Sequence, residues 1–298
     1  ELVSIPSILS WCRLYGGLRP IEESCSKPVT ISVPELYIEF DGEQVAVETE
    51  IAEVVRFVEE TFAHMIVERA PRRVGTLRFT SGPEGFTLTS SGSDDVNDGW
   101  LEMMMGQLQD EVRNQFMRAR PDLFWLHSGA VEKDGYARLI CGPSGRGKST
   151  LTTMLCKKGW RLMSDDVVPI LMSSNTAMPF PQSAQRRLQQ SRVLTPRELN
   201  GVKKERIHFD RLEICERAYP IRDFFFPIYA DEAQSVTRLS AATAAMEILR
   251  SSMNFRDHRA SAVAKAAQLA ETVPTYSIAY KDAAIAADTI NEVPFENV

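Results

Sequence analysis

The sequence predicts a mixed α/β protein in which a phosphate-binding domain follows a smaller α+β domain. Residues 142–149 match the phosphate-binding pattern G-x-x-x-x-G-K-[ST] in full, and they connect a predicted strand to a predicted helix. Two adjacent carboxylates, Asp165 and Asp166, end the next predicted strand. We therefore predict an N-terminal α+β domain over residues 1–119 and an α/β domain over residues 120–298.

Composition limits the classes of protein to which the chain can belong. Its 298 residues are 44% hydrophobic and 25% charged, which is typical of a soluble globular protein. A net charge of −6 argues against a nucleic-acid partner, because such partners require a broad positive surface. No apolar run approaches the ~20 residues that span a bilayer, so we expect no membrane partner. Five cysteines without CxxC spacing predict neither a disulfide framework nor a zinc site, and favour the cytoplasm.

The glycine-rich stretch contains the residue types that a phosphate-binding loop needs. Glycines remove side chains where backbone N–H groups approach a polyphosphate, and the lysine reaches the outer phosphates. The first hydroxyl after the lysine can bind Mg²⁺. A strand over residues 136–141 enters the loop, and a helix over residues 149–158 directs its positive end at the same anion. The residues predicted to bind ATP are Gly142, Pro143, Ser144, Gly145, Arg146, Gly147, Lys148, Ser149 and Thr150.

Apolar and β-branched patterns in the first domain predict several strands and two long helices. Asp41 and Gly42 stand between two alternating segments, which is a strong two-residue hairpin signal. Thr49 is expected to cap the first helix. The predicted elements are a strand over 29–40, a strand at 45–47, a helix over 50–67, strands over 75–80 and 86–89, a polar loop over 90–99 and a helix over 100–119. Because no catalytic pattern occurs here, we expect this domain to select or position a partner.

The second domain is predicted from the strands around the loop. Residues 124–131 are followed by a predicted turn at 133–135, after which the chain returns as the strand that enters the loop. This hairpin brings His127 beside the loop strand. The strand that ends in Asp165 and Asp166 is also expected beside the loop strand. Since side chains alternate along a strand, one carboxylate can face a metal and the other a neighbouring group. The remaining predicted elements are a strand over 224–229, helices over 240–251 and 260–272, a strand over 274–280 and a helix over 282–290.

Three blocks in this order resemble the core of the HPr kinase/phosphorylase family. They are Leu-His-Ser-Gly-Ala-Val at 126–131, the loop at 142–151, and Gly-Trp-Arg-Leu-Met-Ser-Asp-Asp-Val at 159–167. The same core is similar to kinases of lasso-peptide maturation and, more distantly, to ATP-dependent phosphoenolpyruvate carboxykinase. The resemblance implies a P-loop kinase core of the HPr kinase and phosphoenolpyruvate carboxykinase type. It also implies ATP- and Mg²⁺-dependent phosphorylation of a hydroxyl, usually a serine of a protein or peptide.

By position, the resemblance implies roles for the polar residues of these blocks. Lys148 and Ser149 hold phosphates and metal, and His127 and Asp165 act at the acceptor hydroxyl. We interpret Asp165 as the general base, oriented by His127, and Asp166 with Ser149 as the Mg²⁺ ligands. Alternation indicates that the two aspartates differ in role but leaves the assignment exchangeable. A basic residue is also needed near the transferring group, and the candidates are Arg187, Lys203, Lys204 and Arg206.

Three interpretations stay open at the level of sequence. The chain phosphorylates a peptide or protein serine, phosphorylates a hydroxyl of a small molecule, or binds ATP without catalysis and thereby regulates a partner held by residues 1–119. The family's second signature, a glutamate followed by Arg-Gly-Leu-Gly, has no match here, which leaves HPr as substrate, the reverse phosphorolysis and the hexamer in question. A homo-oligomer of another kind is possible, and the sequence does not identify the acceptor.

Overall fold

A computed structural model describes most of the chain from residue 33 onward. The described residues are 33–68, 72–92, 96–187, 204–207, 209–210, 213–230 and 234–293. From Pro34 onward the chain forms one compact unit. Its described part contains seven helices, a six-stranded sheet, a nine-stranded sheet and a two-stranded ribbon, which is a mixed α/β architecture. None of the described helices is long and apolar enough to cross a bilayer.

The first module, residues 34–119, is a sheet covered by two helices. Its elements are β1 (Glu35–Phe40), β2 (Glu43–Glu48), α1 (Ala52–Thr61), β3 (Ile66–Val67), β4 (Arg73–Gly82), β5 (Gly85–Ser90), β6 (Val96–Gly99) and α2 (Leu101–Ala119). The strand order is β3-β1-β2-β4-β5-β6. Val58 of α1 and Leu108 of α2 join Ile38 and Leu77 of the sheet in one core, as the helical spacing of apolar residues predicts.

The hairpin predicted in the first module is confirmed. Asp41 and Gly42 have φ angles of 50° and 81°, which a two-residue turn of this kind requires. They place Phe40 opposite Glu43 across β1 and β2. The second predicted helix is confirmed as α2, whereas the expected polar loop before it contains the edge strand β6. Residues 29–32 of the predicted first strand lie outside the described residues.

The first helix is shorter than the sequence predicts. It ends at Thr61, because the chain then turns and Ile66–Val67 pair with β1 as a short edge strand. The residue that caps the helix is Ile51, whose side chain makes no capping hydrogen bond. The expected cap, Thr49, instead accepts a hydrogen bond from the Ile51 N–H at 3.2 Å, before the helix begins.

The second module, residues 120–293, is built on the nine-stranded sheet. Its strands are β7 (Leu123–Leu126), β8 (Ser128–Lys133), β9 (Tyr136–Cys141), β10 (Arg161–Ser164), β11 (Val168–Leu171), β12 (Thr176–Ala177), β15 (Tyr219–Tyr229), β16 (Ser235–Arg238) and β17 (Thr275–Tyr280), while β13 (Ala184–Arg187) and β14 (Lys204–Ile207) form the ribbon. The sheet order is β10-β8-β9-β15-β12-β11-β7, with β17 beside β15 and β16 beside β17.

Helices cover both faces of this sheet. They are α3 (Lys148–Cys156), α4 (Ala241–Arg250), α5 (Phe255–His258), α6 (Ala260–Thr272) and α7 (Ala283–Glu292). Side chains of β9 alternate between the faces: Leu139 packs in the core formed with α4 and α6, and Ile140 packs in the core formed with α3 and α7. This burial on both sides explains why β9 has consecutive apolar residues at positions 139–141 rather than at alternate positions.

The neighbours of the loop strand differ in part from the prediction. The antiparallel hairpin of β8 and β9 is confirmed, with its turn at Asp134 and Gly135. The strand β10, however, pairs with β8 and not with β9. The reason is that β8 occupies one side of β9 and β15 occupies the other. The paired aspartates after β10 are therefore one strand farther from the glycine-rich loop than expected.

The two modules share a hydrophobic core that is rich in aromatic rings. The Phe180 ring lies 5.3 Å from that of Phe40, 6.0 Å from that of Phe116 and 5.7 Å from that of Trp125. Edge-on packing of this kind is favourable for aromatic pairs. The predicted boundary after residue 119 falls between α2 and β7, inside one compact unit, and the division into two functional domains stays a prediction.

A buried ion pair fixes the strand that enters the glycine-rich loop. Arg138 of β9 donates two hydrogen bonds of 2.7 Å to Asp223 of β15, and a further one to the carbonyl of Ile290 in α7. Its guanidinium lies 4.9 Å from the Trp160 ring and 5.0 Å from the Phe225 ring. Breaking such a pair leaves an uncompensated buried charge, so β9, β15 and α7 are held in one arrangement.

Candidate functional site

The glycine-rich loop, residues 142–147, connects β9 to α3. Gly142, Gly145 and Gly147 have φ angles of 135°, 87° and 87°, a region that side-chain-bearing residues rarely adopt. Gly147 is the N-cap of α3. The first turn of α3 therefore begins at the end of the loop, where the positive end of the helix favours an anion.

The tip of the loop is open to solvent, and its lysine is not. Pro143, Ser144 and Gly145 are exposed, whereas Ser149 and Thr150 at the start of α3 are half-buried. Lys148 is only 6% exposed. An anion can therefore approach the loop from solvent and meet the first turn of α3.

Tyr280, at the end of β17, holds the glycine-rich loop through a hydrogen bond. Its hydroxyl donates a hydrogen bond of 3.1 Å to the carbonyl of Arg146. Any Cβ at Gly147 would lie 1.9 Å from the same hydroxyl oxygen, so only glycine fits there. Burial, with a smaller effect of Tyr229, raises the pKa of Tyr280 to about 12, and the phenol therefore stays protonated as a donor.

The buried lysine of the loop contacts a histidine. The Nζ atom of Lys148 lies 2.9 Å from Nε2 of His127 and 3.3 Å from the carbonyl oxygen of Pro143. His127 occupies the bend between β7 and β8, one residue before the strand that pairs with β9. The hairpin therefore brings the histidine to the start of α3, as the sequence predicted for this residue.

The histidine in turn contacts the second of the paired aspartates. Nδ1 of His127 lies 3.0 Å from the backbone carbonyl oxygen of Asp166 and 3.1 Å from its carboxylate Oδ1. Because the ammonium of Lys148 can only donate, Nε2 must accept, and the ring proton belongs on Nδ1. The result is a chain of contacts from the lysine through the histidine to a carboxylate.

Asp166 is held from its other side by an arginine of the first module. Its Oδ2 accepts a hydrogen bond from Arg113 of α2, which also forms an ion pair with it. Burial opposes ionisation, but the charge of Arg113, the hydrogen bond from His127 and the charge of Lys148 outweigh it. The pKa of Asp166 therefore falls well below its usual range. The carboxylate is ionised, and its side chain is 36% exposed.

Asp165 occupies a different environment from Asp166. It is 5% exposed, and its charge, after burial, helps to raise the pKa of the Cys156 thiol in α3 to about 12. The two carboxylates therefore have different surroundings. Strand alternation does not explain the difference, because β10 ends at Ser164 and both aspartates lie in the bend that follows. The expectation that His127 orients Asp165 needs correction, because the histidine contacts Asp166. The catalytic roles of both aspartates stay predictions.

The four basic residues predicted as candidates to lie near the transferring group are found in different parts of the structure. Arg187 ends β13, a strand that lies beside α3, and Lys204 begins β14. Lys203 lies outside the described residues. Arg206 forms an ion pair with Glu60 of α1, and its guanidinium lies 4.8 Å from the Phe57 ring. The side chain of Arg206 is thus directed at α1.

Hard oxygen donors are available for a divalent cation beside the loop. Ser149 is the second residue of α3, and Asp166 offers an ionised, partly exposed carboxylate. Mg²⁺ is commonly bound by one or two protein oxygens together with substrate phosphates. In the part of the chain that the structure describes, no three His, Cys, Asp or Glu side chains form a metal centre by themselves.

Sequence reasoning missed three residues of this site. Arg113 follows Val112 of the apolar stripe of α2, and Gln182 follows Pro181, so neither stands in a motif. Gln182 accepts a hydrogen bond of 3.0 Å from Nε of Arg113. The third is Tyr280, which lies more than a hundred positions from the loop. Because these residues meet only through tertiary structure, a single sequence gives no signal for them.

Comparisons with known proteins add a remote likeness. No protein-family model matches the chain, and no curated protein matches it in sequence. Among solved structures, the HPr(Ser) kinase/phosphatase from Coxiella burnetii is similar with 12% identity and a TM-score of 0.31, over 56% of this chain and 93% of that one. A likeness of this strength does not assign the chain to that protein's family or transfer its activity.

The contact between Gly147 and Tyr280 predicts a coupled effect on stability. Gly147→Ala should lower the free energy of unfolding by at least about 1–2 kcal/mol, the cost of a left-handed backbone for a residue with a Cβ. The clash with the Tyr280 hydroxyl adds to this cost. In a Tyr280→Phe background the same substitution should cost less, with a coupling of about 0.5–3 kcal/mol in urea unfolding.

Gly135 provides a matched control for this cycle. Its φ is 83°, close to that of Gly147, but no atom lies within 4 Å of a Cβ built there. Gly135→Ala should therefore show the backbone cost alone, unchanged by Tyr280→Phe. Equal costs of Gly147→Ala in both backgrounds would contradict the contact.

Proposed function

We propose that this protein is an ATP- and Mg²⁺-dependent kinase that transfers the γ-phosphate to a hydroxyl. One observation supports this most strongly: Nζ of Lys148, in the phosphate-binding pattern, lies 2.9 Å from His127, which contacts Asp166. A residue that binds phosphates and an ionised carboxylate suited to Mg²⁺ thus meet through one histidine. Phosphoryl transfer needs this combination, because its catalysis consists largely of positioning and charge neutralisation.

The glycine-rich loop is proposed to bind ATP, the phosphate donor of the reaction. Its backbone N–H groups and the positive end of α3 bind the phosphates of ATP, and Lys148 neutralises the outer phosphates. The hydrogen bond from Tyr280 keeps the Arg146 carbonyl turned away from the anion. The loop is thus organised before the nucleotide arrives, which lowers the entropy cost of binding.

Mg²⁺ fits the oxygen donors beside the loop. The Ser149 hydroxyl and the Asp166 carboxylate would hold it, since both are hard ligands and Asp166 stays ionised. When bound, the cation neutralises charge on the phosphates of the nucleotide. Arg113 and His127 each engage one oxygen of Asp166, and a carboxylate still has lone pairs for a metal.

Proton transfer is assigned to Asp165. A carboxylate with a lowered pKa accepts protons poorly, which suits Asp166 to the metal. The role at the acceptor hydroxyl is therefore given to Asp165, as the sequence resemblance implies. In our proposal Asp165 takes the proton of the acceptor hydroxyl as the hydroxyl oxygen bonds to the γ-phosphorus. The bond between that phosphorus and the bridging oxygen breaks, and ADP leaves. His127 holds Asp166 and Lys148 in register during this step.

The proposed acceptor is a serine of a peptide or protein. This choice rests on the sequence resemblance of the loop, histidine and aspartate blocks, and the geometry of the site does not distinguish among hydroxyl acceptors. We place the reaction in the cytoplasm. Three described cysteines, Cys141, Cys156 and Cys215, are buried free thiols, which suits a reducing compartment.

Replacing the loop lysine tests the proposal directly. Lys148→Met keeps the aliphatic stem of this buried residue and removes its charge. We expect transfer from labelled ATP to the peptides encoded beside its gene to fall by about 10²–10³-fold, as when one electrostatic contact to a transition state is lost. Lys157→Met, at an exposed position after α3, is the matched control and should keep wild-type transfer.

Each other result has a clear meaning. Full turnover by folded Lys148→Met would exclude this site as the phosphotransfer site. ATP binding by the wild type without transfer to any peptide, protein or small molecule would favour a regulatory ATP-binding protein over a kinase. Transfer to a small-molecule hydroxyl alone would retain the site and replace the acceptor.

The two aspartates should respond differently to neutral substitution. Asp165→Asn should lower kcat by about 10²–10⁴-fold with little change in ATP binding, the usual range for one acid–base group. Asp166→Asn should instead raise the Mg²⁺ concentration needed for half-maximal activity. EDTA should stop the wild-type reaction, and Mg²⁺ or Mn²⁺ should restore it.

A metal titration of both variants decides the assignment. If Asp165→Asn raises the Mg²⁺ requirement and Asp166→Asn lowers kcat, the two roles are reversed. Unchanged kinetics in both variants, or turnover in metal-free buffer, would argue against a kinase site here.

A further inference from the structure

Arg113 of α2 is a buried arginine whose guanidinium is fixed by three hydrogen-bond partners. The residue is 7% exposed, and its guanidinium makes three hydrogen bonds. Nε donates to Gln182 at 3.0 Å, Nη1 donates to Asp110 at 3.0 Å, and Nη2 donates to Asp166. The three nitrogen atoms of the fork therefore all have acceptors, which fixes the position of the group.

The charged partner that accounts for this burial is Asp166. Taking an arginine out of water is costly unless a charge and hydrogen bonds compensate for it. The Asp110 side chain is 70% exposed, so its pairing contributes little. Gln182 is neutral. Asp166, which belongs to the second module, provides the main compensation.

The surrounding contacts keep α2 in register with the aspartates. Phe116, one turn after Arg113, packs against Phe180. Phe180 also donates its N–H to the carbonyl of Met163 in β10 at 2.9 Å, and β10 leads into Asp166. A movement of α2 would therefore disrupt the packing of Phe116 on Phe180 and would also displace Arg113 from the Asp166 carboxylate.

We propose that Arg113 is a positioning residue of the phosphotransfer site, so that the first module forms part of that site. This inference rests on the proposed function. Arg113 fixes the orientation of the Asp166 carboxylate, keeps it from turning toward Lys148, and leaves its remaining lone pairs for Mg²⁺.

The test measures nucleotide binding, which does not require the acceptor. A fluorescent ATP analogue is titrated into the full-length protein at a series of Mg²⁺ concentrations, including none. Arg113→Met should raise the Mg²⁺ concentration for half-maximal binding by about 10–100-fold, the usual effect of removing a partner of a ligating carboxylate. Binding without Mg²⁺ should stay at the wild-type level, because the loop and Lys148 are intact.

Three further variants separate positioning from a general structural role. Arg118→Met changes an arginine of the same helix that is 58% exposed and pairs with Glu111, and it should behave as wild type. Arg113→Lys keeps the charge without the fork and should restore the Mg²⁺ dependence in part. If Arg113→Met does not fold, Gln182→Met removes the buried acceptor of Nε and should give a smaller shift in the same direction.

Failure of this inference differs from failure of the proposed function. A wild type that binds no nucleotide, or binds it without any effect of Mg²⁺, removes the proposed function and this inference with it. A wild type with a clear Mg²⁺ effect that Arg113→Met leaves unchanged overturns the inference alone. Tighter Mg²⁺-dependent binding by Arg113→Met would also overturn it, since the arginine would then compete with the metal.

Discussion

The site depends on one contact, between Nζ of Lys148 and Nε2 of His127. Lys148 is placed by the glycine-rich loop, and His127 passes the contact on to Asp166, which Arg113 holds from the far side. Two buried cations, Lys148 and Arg113, thus flank a partly exposed histidine and carboxylate in one hydrogen-bonded chain, in which each contact supports the next. Loss of His127 or Asp166 would remove a partner from one of these buried cations.

The sheet order explains how these residues meet. β8 lies between β9 and β10, and it runs antiparallel to both. The bend before β8 therefore lies beside the ends of β9 and β10, where the glycine-rich loop and the paired aspartates begin. The first module adds α2 to this edge through the shared aromatic core. The buried Arg138–Asp223 pair keeps β9 and β15 aligned beneath the loop.

Turns and helices that depend on local sequence could be predicted, whereas contacts between residues far apart in the chain could not. The Asp41-Gly42 hairpin, the glycine-rich loop and α2 follow from residue types at fixed spacing. The helix starting near residue 50 was predicted too long, because pairing of β3 with β1 overrides helical spacing there. The neighbours of β10 and the role of Arg113 depend on the order of strands and on packing between modules, which no local pattern encodes.

The most direct test of this account is the tautomer of His127, read from its ring nitrogens by ¹⁵N NMR at alkaline pH. Signals are assigned by comparison with His127→Gln, since the chain has four histidines. The account predicts a proton on Nδ1 and a bare Nε2 that accepts from the lysine, with the Nε2 signal moving in Lys148→Met. A proton on Nε2, or an Nε2 signal that Lys148→Met leaves unchanged, would contradict the contact on which the site depends.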